Sequence, residues 1–248
     1  MINEQNRMDI MTNNLANAST VGYKKEGSTS QSFDDVLTVK IKDQSVGMRN
    51  VQRLGVKNPG VKIGENYTDY SQGSFRITGN TYDLALSGEG FFAIEFTNKA
   101  GETDTKYTRA GQFTLNKDGY LVTEEGDYVL DTQNRRIRLN TLIDSSITDD
   151  GTIYQNGQAV AKIQVTDFED YDYLEKYGET YYQPIQGAKT IAAKAQVKSG
   201  YLEMANVQIV SEMVNLISIT RAYESNQKVV QTIDDTLDVA VNQIGRVQ

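Results

Sequence analysis

The chain has 248 residues, enough for one large or two modest domains, and its 38% hydrophobic content is enough for a core but low for a compact enzyme, so an extended shape is expected. A net charge of -8 argues against nucleic acid as a partner, and no run approaches the roughly 18 apolar residues of a membrane span. With no Cys and no His, disulfides, thiolate nucleophiles, imidazole bases and N/S zinc sites are excluded by inventory.

Glycine and proline divide the chain. Met1 to Val21 and Tyr201 to Ile244 contain neither, and all 20 Gly and both Pro fall between or just beyond these stretches. At the N-terminus Met1, Met8, Met11, Leu15 and Ala18 share one helical face, with Gly22 expected to end the helix. The start lacks the layout of a secretory signal, so export would use another route.

Residues 26–66 read as an extended arm or connector. Phe33, Val36, Leu37, Val39 and Ile41 fit an amphipathic strand or a short helix, and Gln44 to Asn58 an extended arm. From about Tyr67 the period changes to two. Phe75 and Ile77, Leu84 and Leu86, then Phe92, Ile94 and Phe96 alternate with their neighbours. Asn116 to Gly119 predicts one hairpin, and Asn156-Gly157 a type I′ turn between Ile153 and Val160, with Ile163, Val165 and Phe168 returning as a strand. These features predict a mainly β outer domain over 67–199, built of short antiparallel strands, with the 15 Tyr serving as half-buried faces.

Two features of this region resemble catalytic or metal-binding motifs. Gly88-Glu89-Gly90 lacks the third glycine of a nucleotide loop and lies between strands, so a tight turn or bulge is expected. The run Asp167, Glu169, Asp170, Asp172 and Glu175 lacks the order of a calcium loop and reads as a solvated face. No carboxylate pair is marked out for acid/base work. Neither a catalytic residue nor a metal or cofactor site is assigned.

At the C-terminus Met213, Leu216, Thr220, Tyr223, Gln227, Val230, Asp234, Leu237, Val241 and Ile244 follow at steps of three and four, the spacing of a coiled-coil seam. Val207, Val210, Val214, Ile217, Val229, Ile233 and Ala240 widen the apolar face. Asn206 suits an N-cap and Gly245 a stop, which predicts a helix near 207–244. At roughly 1.5 to 3 kcal/mol for each large side chain buried, the two terminal stripes represent on the order of 20 kcal/mol gross, before ordering entropy. Thr220, Gln227 and Asp234 would each need a hydrogen-bond partner in a closed core, so a partly wet interface between subunits suits them better. The candidate assembly residues are therefore Met8, Met11, Leu15, Met213, Leu216, Tyr223, Val230, Leu237, Val241 and Ile244. They fall in an inner, coiled-coil-like domain formed by residues 1–25 with 200–248.

Three motifs then carry a family resemblance. They are Asn13-Asn14-Leu15-Ala16-Asn17 with Thr20, Gly22, Tyr23 and Lys24; Asp83-Leu84-Ala85-Leu86, Gly88 and Gly90-Phe91-Phe92 with Tyr107-Thr108-Arg109, Gly111 and Phe113; and Gly200-Tyr201-Leu202-Glu203, Asn206-Val207, Glu212-Met213, Arg221-Ala222-Tyr223-Glu224 and Asn226. Together they resemble the flagellar basal-body rod proteins, relatives of the hook proteins, across nearly the whole chain and in order. Gly90-Phe91-Phe92 and Arg221-Ala222-Tyr223-Glu224 are more like the distal than the proximal rod members. The resemblance implies a non-enzymatic subunit exported through the flagellar type III apparatus and stacked helically into the rod. Its partners would be copies of itself and neighbouring rod and hook subunits, and its terminal helices would pair inside. Family members usually begin with additional helical residues, and Met1 falls where an internal Met of the first helix is expected. The alternative drawn from the residues alone is an extracellular β-rich binding module, an adhesin or glycan binder contacting ligand through its tyrosines. A carboxylate-based hydrolase rests only on the number of Asp and Glu.

Overall fold

A computed structural model describes residues 2–34, 36–41, 51–58, 60–98 and 101–244. The chain forms two compact units, one of Met1–Asn14, Glu26–Thr68 and Val210–Gln248, the other of Leu15–Lys25 and Asp69–Ile209.

The first unit opens with helix α1 (Ile2–Ala16). Strands β1 (Glu26–Ser32), β2 (Val36–Ile41), β3 (Val51–Lys57) and β4 (Val61–Thr68) follow. β1 pairs with β4 and β2 with β3, both antiparallel, and the register is continuous: Ser32 faces Val61 and Val36 faces Lys57. Between the two ladders the Phe33 amide donates to the Gly60 carbonyl at 2.9 Å. The result is one long ribbon, bulged between Ser28 and Ser30 and between Thr38 and Val39. The choice between strand and helix thus falls to strand over Val36–Ile41, and Phe33 lies beyond the end of β1. Of the arm expected from Gln44 to Asn58, Val51–Lys57 is strand, and residues 44–50 lie outside the described residues. The Tyr67 ring lies across from Gly27, where a Cβ would come within 2.5 Å of it. The unit closes with helix α2 (Ile209–Val239), about 46 Å long at 1.5 Å per residue, and a π-helical turn over Ala240–Ile244.

The second unit is antiparallel throughout its described pairings. Its first strands are β5 (Phe75–Ile77), β6 (Leu84–Ser87), β7 (Phe91–Thr97), β8 (Thr103–Thr108), β9 (Phe113–Leu115), β10 (Leu121–Thr123) and β11 (Tyr128–Val129). Next come β12 (Ser145–Ile147), β13 (Thr152–Gln155), β14 (Gln158–Lys162), β15 (Val165–Phe168), β16 (Leu174–Tyr177) and β17 (Tyr181–Pro184). The last are β18 (Thr190–Ala192), β19 (Gln196–Ser199) and β20 (Tyr201–Glu203). The main sheet runs β16-β17-β8-β7-β11-β10-β9, with β15 joining β7 to β18. Smaller ladders pair β12-β13-β14, β19-β6 and β20-β5.

Strand β7 is the centre of this unit because both of its faces are covered. Phe92 belongs to a core with Leu84, Phe113, Leu121, Ile153 and Val197, whereas Phe91 and Ala93 belong to a second with Tyr107, Phe168 and Tyr182. The alternation expected for Phe92, Ile94 and Phe96 therefore gives way to four consecutive buried residues from Phe91 to Ile94. Both hairpins form as predicted. Leu115 faces Leu121 across the Asn116–Gly119 turn, and Asn116 Oδ1 accepts from the amides of Asp118 and Tyr120. Gln155 faces Gln158 across Asn156-Gly157, whose φ values of 51° and 76° are those of a type I′ turn. The returning segment is split, however, since β14 stays with β13 while β15 crosses to β7. The tyrosines are less uniformly half-buried than expected. Tyr23 and Tyr182 are fully buried, and Tyr181 buries its ring while its hydroxyl donates to Asp127 Oδ2 at 2.9 Å. Burial and the nearby Asp127 carboxylate push the Tyr181 pKa up.

Candidate assembly site

Helix α1 ends at Ala16, and residues 17–22 make turns, so Ala18 lies beyond the helix and Gly22 does not end it. Gly22 serves a close approach instead. Its φ is 70°, and a Cβ there would lie 2.3 Å from the Ala110 amide nitrogen. Its own amide donates to the Glu203 carbonyl at 2.8 Å. Within the first unit, the side chain of Asn14 bonds both backbone atoms of Glu26, accepting from the amide at 2.9 Å and donating to the carbonyl at 2.8 Å. That arrangement gives both backbone groups of the first residue of β1, which stands opposite Thr68 in the ladder, a side-chain partner.

Within the second unit the segments around Lys24, Ser71, Arg109 and Glu203 converge on a buried ionic node. Lys24 Nζ donates to Glu203 Oε1 at 2.8 Å and to the Ser71 carbonyl at 2.7 Å. Arg109 Nε donates to Glu203 Oε2 at 2.6 Å, and its terminal nitrogens donate to the carbonyls of Gly88 and Gly90. The Gly73 amide completes the shell of Glu203 Oε1 at 2.9 Å. Side-chain exposure is 1% for Lys24, 4% for Arg109 and 0% for Glu203, so solvent does little of the compensation here. Burial pulls the Lys24 pKa below the ordinary lysine range, against the opposing pull of the Glu203 carboxylate. The Gly88-Glu89-Gly90 segment is the tight turn expected between β6 and β7. Both glycines have positive φ and offer carbonyls to a guanidinium, the opposite polarity from a phosphate cradle.

Asn206 is not free to cap α2 as the sequence suggested. Its side-chain oxygen accepts from the Lys25 amide at 2.8 Å, and its amide group donates to the carbonyls of Asp69 at 2.8 Å and Ser71 at 3.2 Å. The helix accordingly starts three residues later, at Ile209. The Asp69 amide returns to the Lys25 carbonyl at 2.8 Å, which ties the two segments reciprocally. These contacts join residues far apart in the chain; the sequence offered Lys24, Arg109 and Glu203 only as motif letters, and Asn206 only as a cap. The available signal was four polar residues set in glycine-bearing motifs that no period places on a surface.

The predicted assembly residues fall into two groups. Met8, Met11, Leu15, Leu216 and Tyr223 are half-buried in the single chain, whereas Met213, Val230, Leu237 and Val241 are exposed, Val241 by 71%. The side chain of Ile244 lies outside the described residues, as do Met1 and Gly245. Ile219 and Glu212 are the buried positions of α2, one turn-pair apart on the face that also carries half-buried Leu216 and Tyr223. From Glu224 to Val239 every residue is exposed, Val229, Ile233 and Leu237 included. Among the seam's polar members, Thr220 satisfies its hydroxyl on the Leu216 carbonyl at 2.8 Å, and Gln227 and Asp234 face solvent.

The acidic run has one member out of place. Asp167 is buried, accepting from the Phe168 amide at 2.9 Å and the Tyr171 hydroxyl at 2.8 Å, while Glu169, Asp170, Asp172 and Glu175 are exposed. Among the described residues no group of three or more His, Cys, Asp or Glu is placed to hold a metal, and no helix is long and apolar enough to cross a membrane.

A closed β unit whose chain ends continue into helices, one of them carrying open apolar surface, defines a structural subunit built to associate. Comparison with known families narrows this class. Residues 1–24 match the flagella basal body rod protein family, residues 85–157 the flagellar hook protein FlgE/F/G D1 domain, and residues 198–244 the flagellar basal body rod FlgEFG protein C-terminal family. The chain is 34% identical to the flagellar basal-body rod protein FlgG of Bacillus subtilis, over 98% of its own length and 95% of that protein's. It is 33% identical to FlgF of Caulobacter vibrioides, over 97% and 92% of the two lengths. A 29% match extends over all of this chain and 96% of the flagellar hook-basal body complex protein FlhO of Bacillus subtilis. The chain belongs to the flagellar basal-body rod protein family. It is a structural protein of the flagellar basal body and not an enzyme, and nothing in these matches favours a glycan-binding module.

Proposed function

We propose that this rod subunit polymerises helically through its two terminal helical segments, which pair with those of neighbouring copies to form the torque-transmitting shaft. The observation that carries the reading is the uncovered helix from Glu224 to Val239, whose Val229, Val230, Ile233, Leu237 and Val239 are all exposed. Helices in proteins owe most of their stability to packing an amphipathic face, and this stretch has no such cover in the single chain. Residues 1–25 and 200–248 form the inner, coiled-coil part, 26–66 the connector and 67–199 the outer β part. Met8, Met11, Leu15, Met213, Leu216, Tyr223, Val230, Leu237, Val241 and Ile244 supply the contacts. Different faces meet neighbours above and below, which grows an open filament instead of a closed ring. The partners are further copies and adjoining rod and hook subunits, and the route out of the cell is the flagellar type III apparatus. The position is the distal rod.

Leu237→Asp tests this directly, because Leu237 is 58% exposed in the single chain and its loss removes no core contact there. Expected is an unchanged melting temperature of the free chain together with loss of the protein from isolated basal bodies. Normal incorporation of the variant would defeat the proposal.

A further inference from the structure

We infer that Lys24, Glu203 and Asn206 are positioning residues, forming a clasp, buried at Lys24 and Glu203 and half-buried at Asn206, that fixes the spacing between the two points from which the terminal segments depart. The inference rests on the assembly reading above and adds the device that prepares the chain for it. Lys24 lies beyond the turns of residues 17–22 that follow α1, and Glu203 and Asn206 lie just before α2. Contacts bind the two stretches directly: Lys24 Nζ to Glu203 Oε1 at 2.8 Å, the Gly22 amide to the Glu203 carbonyl at 2.8 Å, and the Lys25 amide to Asn206 Oδ1 at 2.8 Å.

Physical chemistry argues that the clasp is more than a source of stability. Buried ion pairs lose in desolvation much of what they gain in attraction, and apolar residues of similar volume often stabilise as well or better. Here two cations share one buried carboxylate, with the charge of Asp69 acting on Lys24 from nearby, and the node also leans on the carbonyls of Ser71, Gly88 and Gly90. What such a node does supply is register. Each charge can be satisfied in only one place, and the backbone around it has no slack. A Cβ at Gly73 would lie 1.9 Å from the Met204 carbonyl oxygen, and one at Gly22 would strike Ala110. Arg109 holds Glu203 from the β side, so a change at Lys24 leaves no carboxylate unpaired. The clasp can therefore be opened without emptying the node.

The test uses the full chain, in which the absence of Cys allows a pair of spin labels at Ser19→Cys and Gln208→Cys. Lys24→Met, Asn206→Ala and the double variant are compared with the parent for label-to-label distance distribution, melting temperature and incorporation into basal bodies. Expected for Lys24→Met is a broadened distance distribution, a retained cooperative melt and incorporation reduced about tenfold or more, the equivalent of 1.4 kcal/mol. The double variant should be worse, and Lys24→Arg should recover part of the loss. Incorporation at the parent level by Lys24→Met and Asn206→Ala would overturn the inference, as would reduced incorporation with an unchanged distance distribution. If Leu237→Asp incorporates normally, the helix-driven assembly itself fails. If Leu237→Asp is excluded while the clasp variants enter freely, only the clasp is wrong.

Discussion

The β unit and the unit containing the helices and ribbon handle apolar side chains in opposite ways. In the first, Leu84, Leu86, Phe92, Ile94 and Leu121 are fully buried, and even a central strand has no face left open. In the second, the buried residues among those described are Asn14, Glu212 and Ile219, while valines, isoleucines and leucines of α2 stand exposed. The ribbon shows the same economy, with Val56, Val61 and Tyr67 more than half exposed on a two-stranded ladder. Two-stranded ladders are marginal by themselves, and their faces gain stability when something covers them. One unit therefore holds a closed core within the single chain, and the other leaves most of its described apolar side chains exposed.

Truncation in the two units should separate them clearly. Phe92→Ala, which hollows the core beside Phe113, is expected to cost the free chain about 3–5 kcal/mol in denaturant unfolding. A loss under about 1 kcal/mol would mean that the β unit is not the closed body described. An intermediate effect belongs to the Arg136–Glu95 pair, joined by bonds of 3.0 and 2.6 Å on the β unit's surface. Hydrogen bonding from Arg136 holds the Glu95 pKa below its ordinary value of 4.5. A depressed carboxylate contributes stability that is complete above the unfolded value and is lost as pH falls through the folded one. Arg136→Gln should accordingly lower stability by about 0.2–1 kcal/mol at neutral pH. That difference should shrink on acidification below 4.5, and a pH-independent difference would assign the effect to the Arg136 stack on Tyr128. The smallest effect is expected for Leu237→Ala in the free chain, within about 0.5 kcal/mol, because the side chain has little to lose there. A larger cost would show that α2 is already covered in the monomer.

Much of this division could be read from the chain itself. Asn156-Gly157 specifies its hairpin locally, since both residues must adopt positive φ, and the spacing from Met213 to Ile244 specifies a helix. What escaped was set by distant partners. Phe33 to Ile41 fits either period, and the strand character of Val36–Ile41 comes from pairing with Val51–Lys57. Asn206 has the composition of a cap, yet its hydrogen bonds go to Lys25 and Asp69, more than a hundred residues earlier. Gly22 looked like a helix stop and is in fact a point of close backbone approach. The node of Lys24, Arg109 and Glu203 joins three motifs whose letters were visible and whose meeting was not.

The most direct test of the open helix is chemical access at one position. Val230→Cys places a single thiol in a chain that otherwise has none, at a site 46% exposed in the single chain. Maleimide labelling should be fast in the free protein and slowed about tenfold or more once the same protein is incorporated into basal bodies, as expected for an apolar surface covered by a neighbour. Equal labelling rates in the two states would contradict the account.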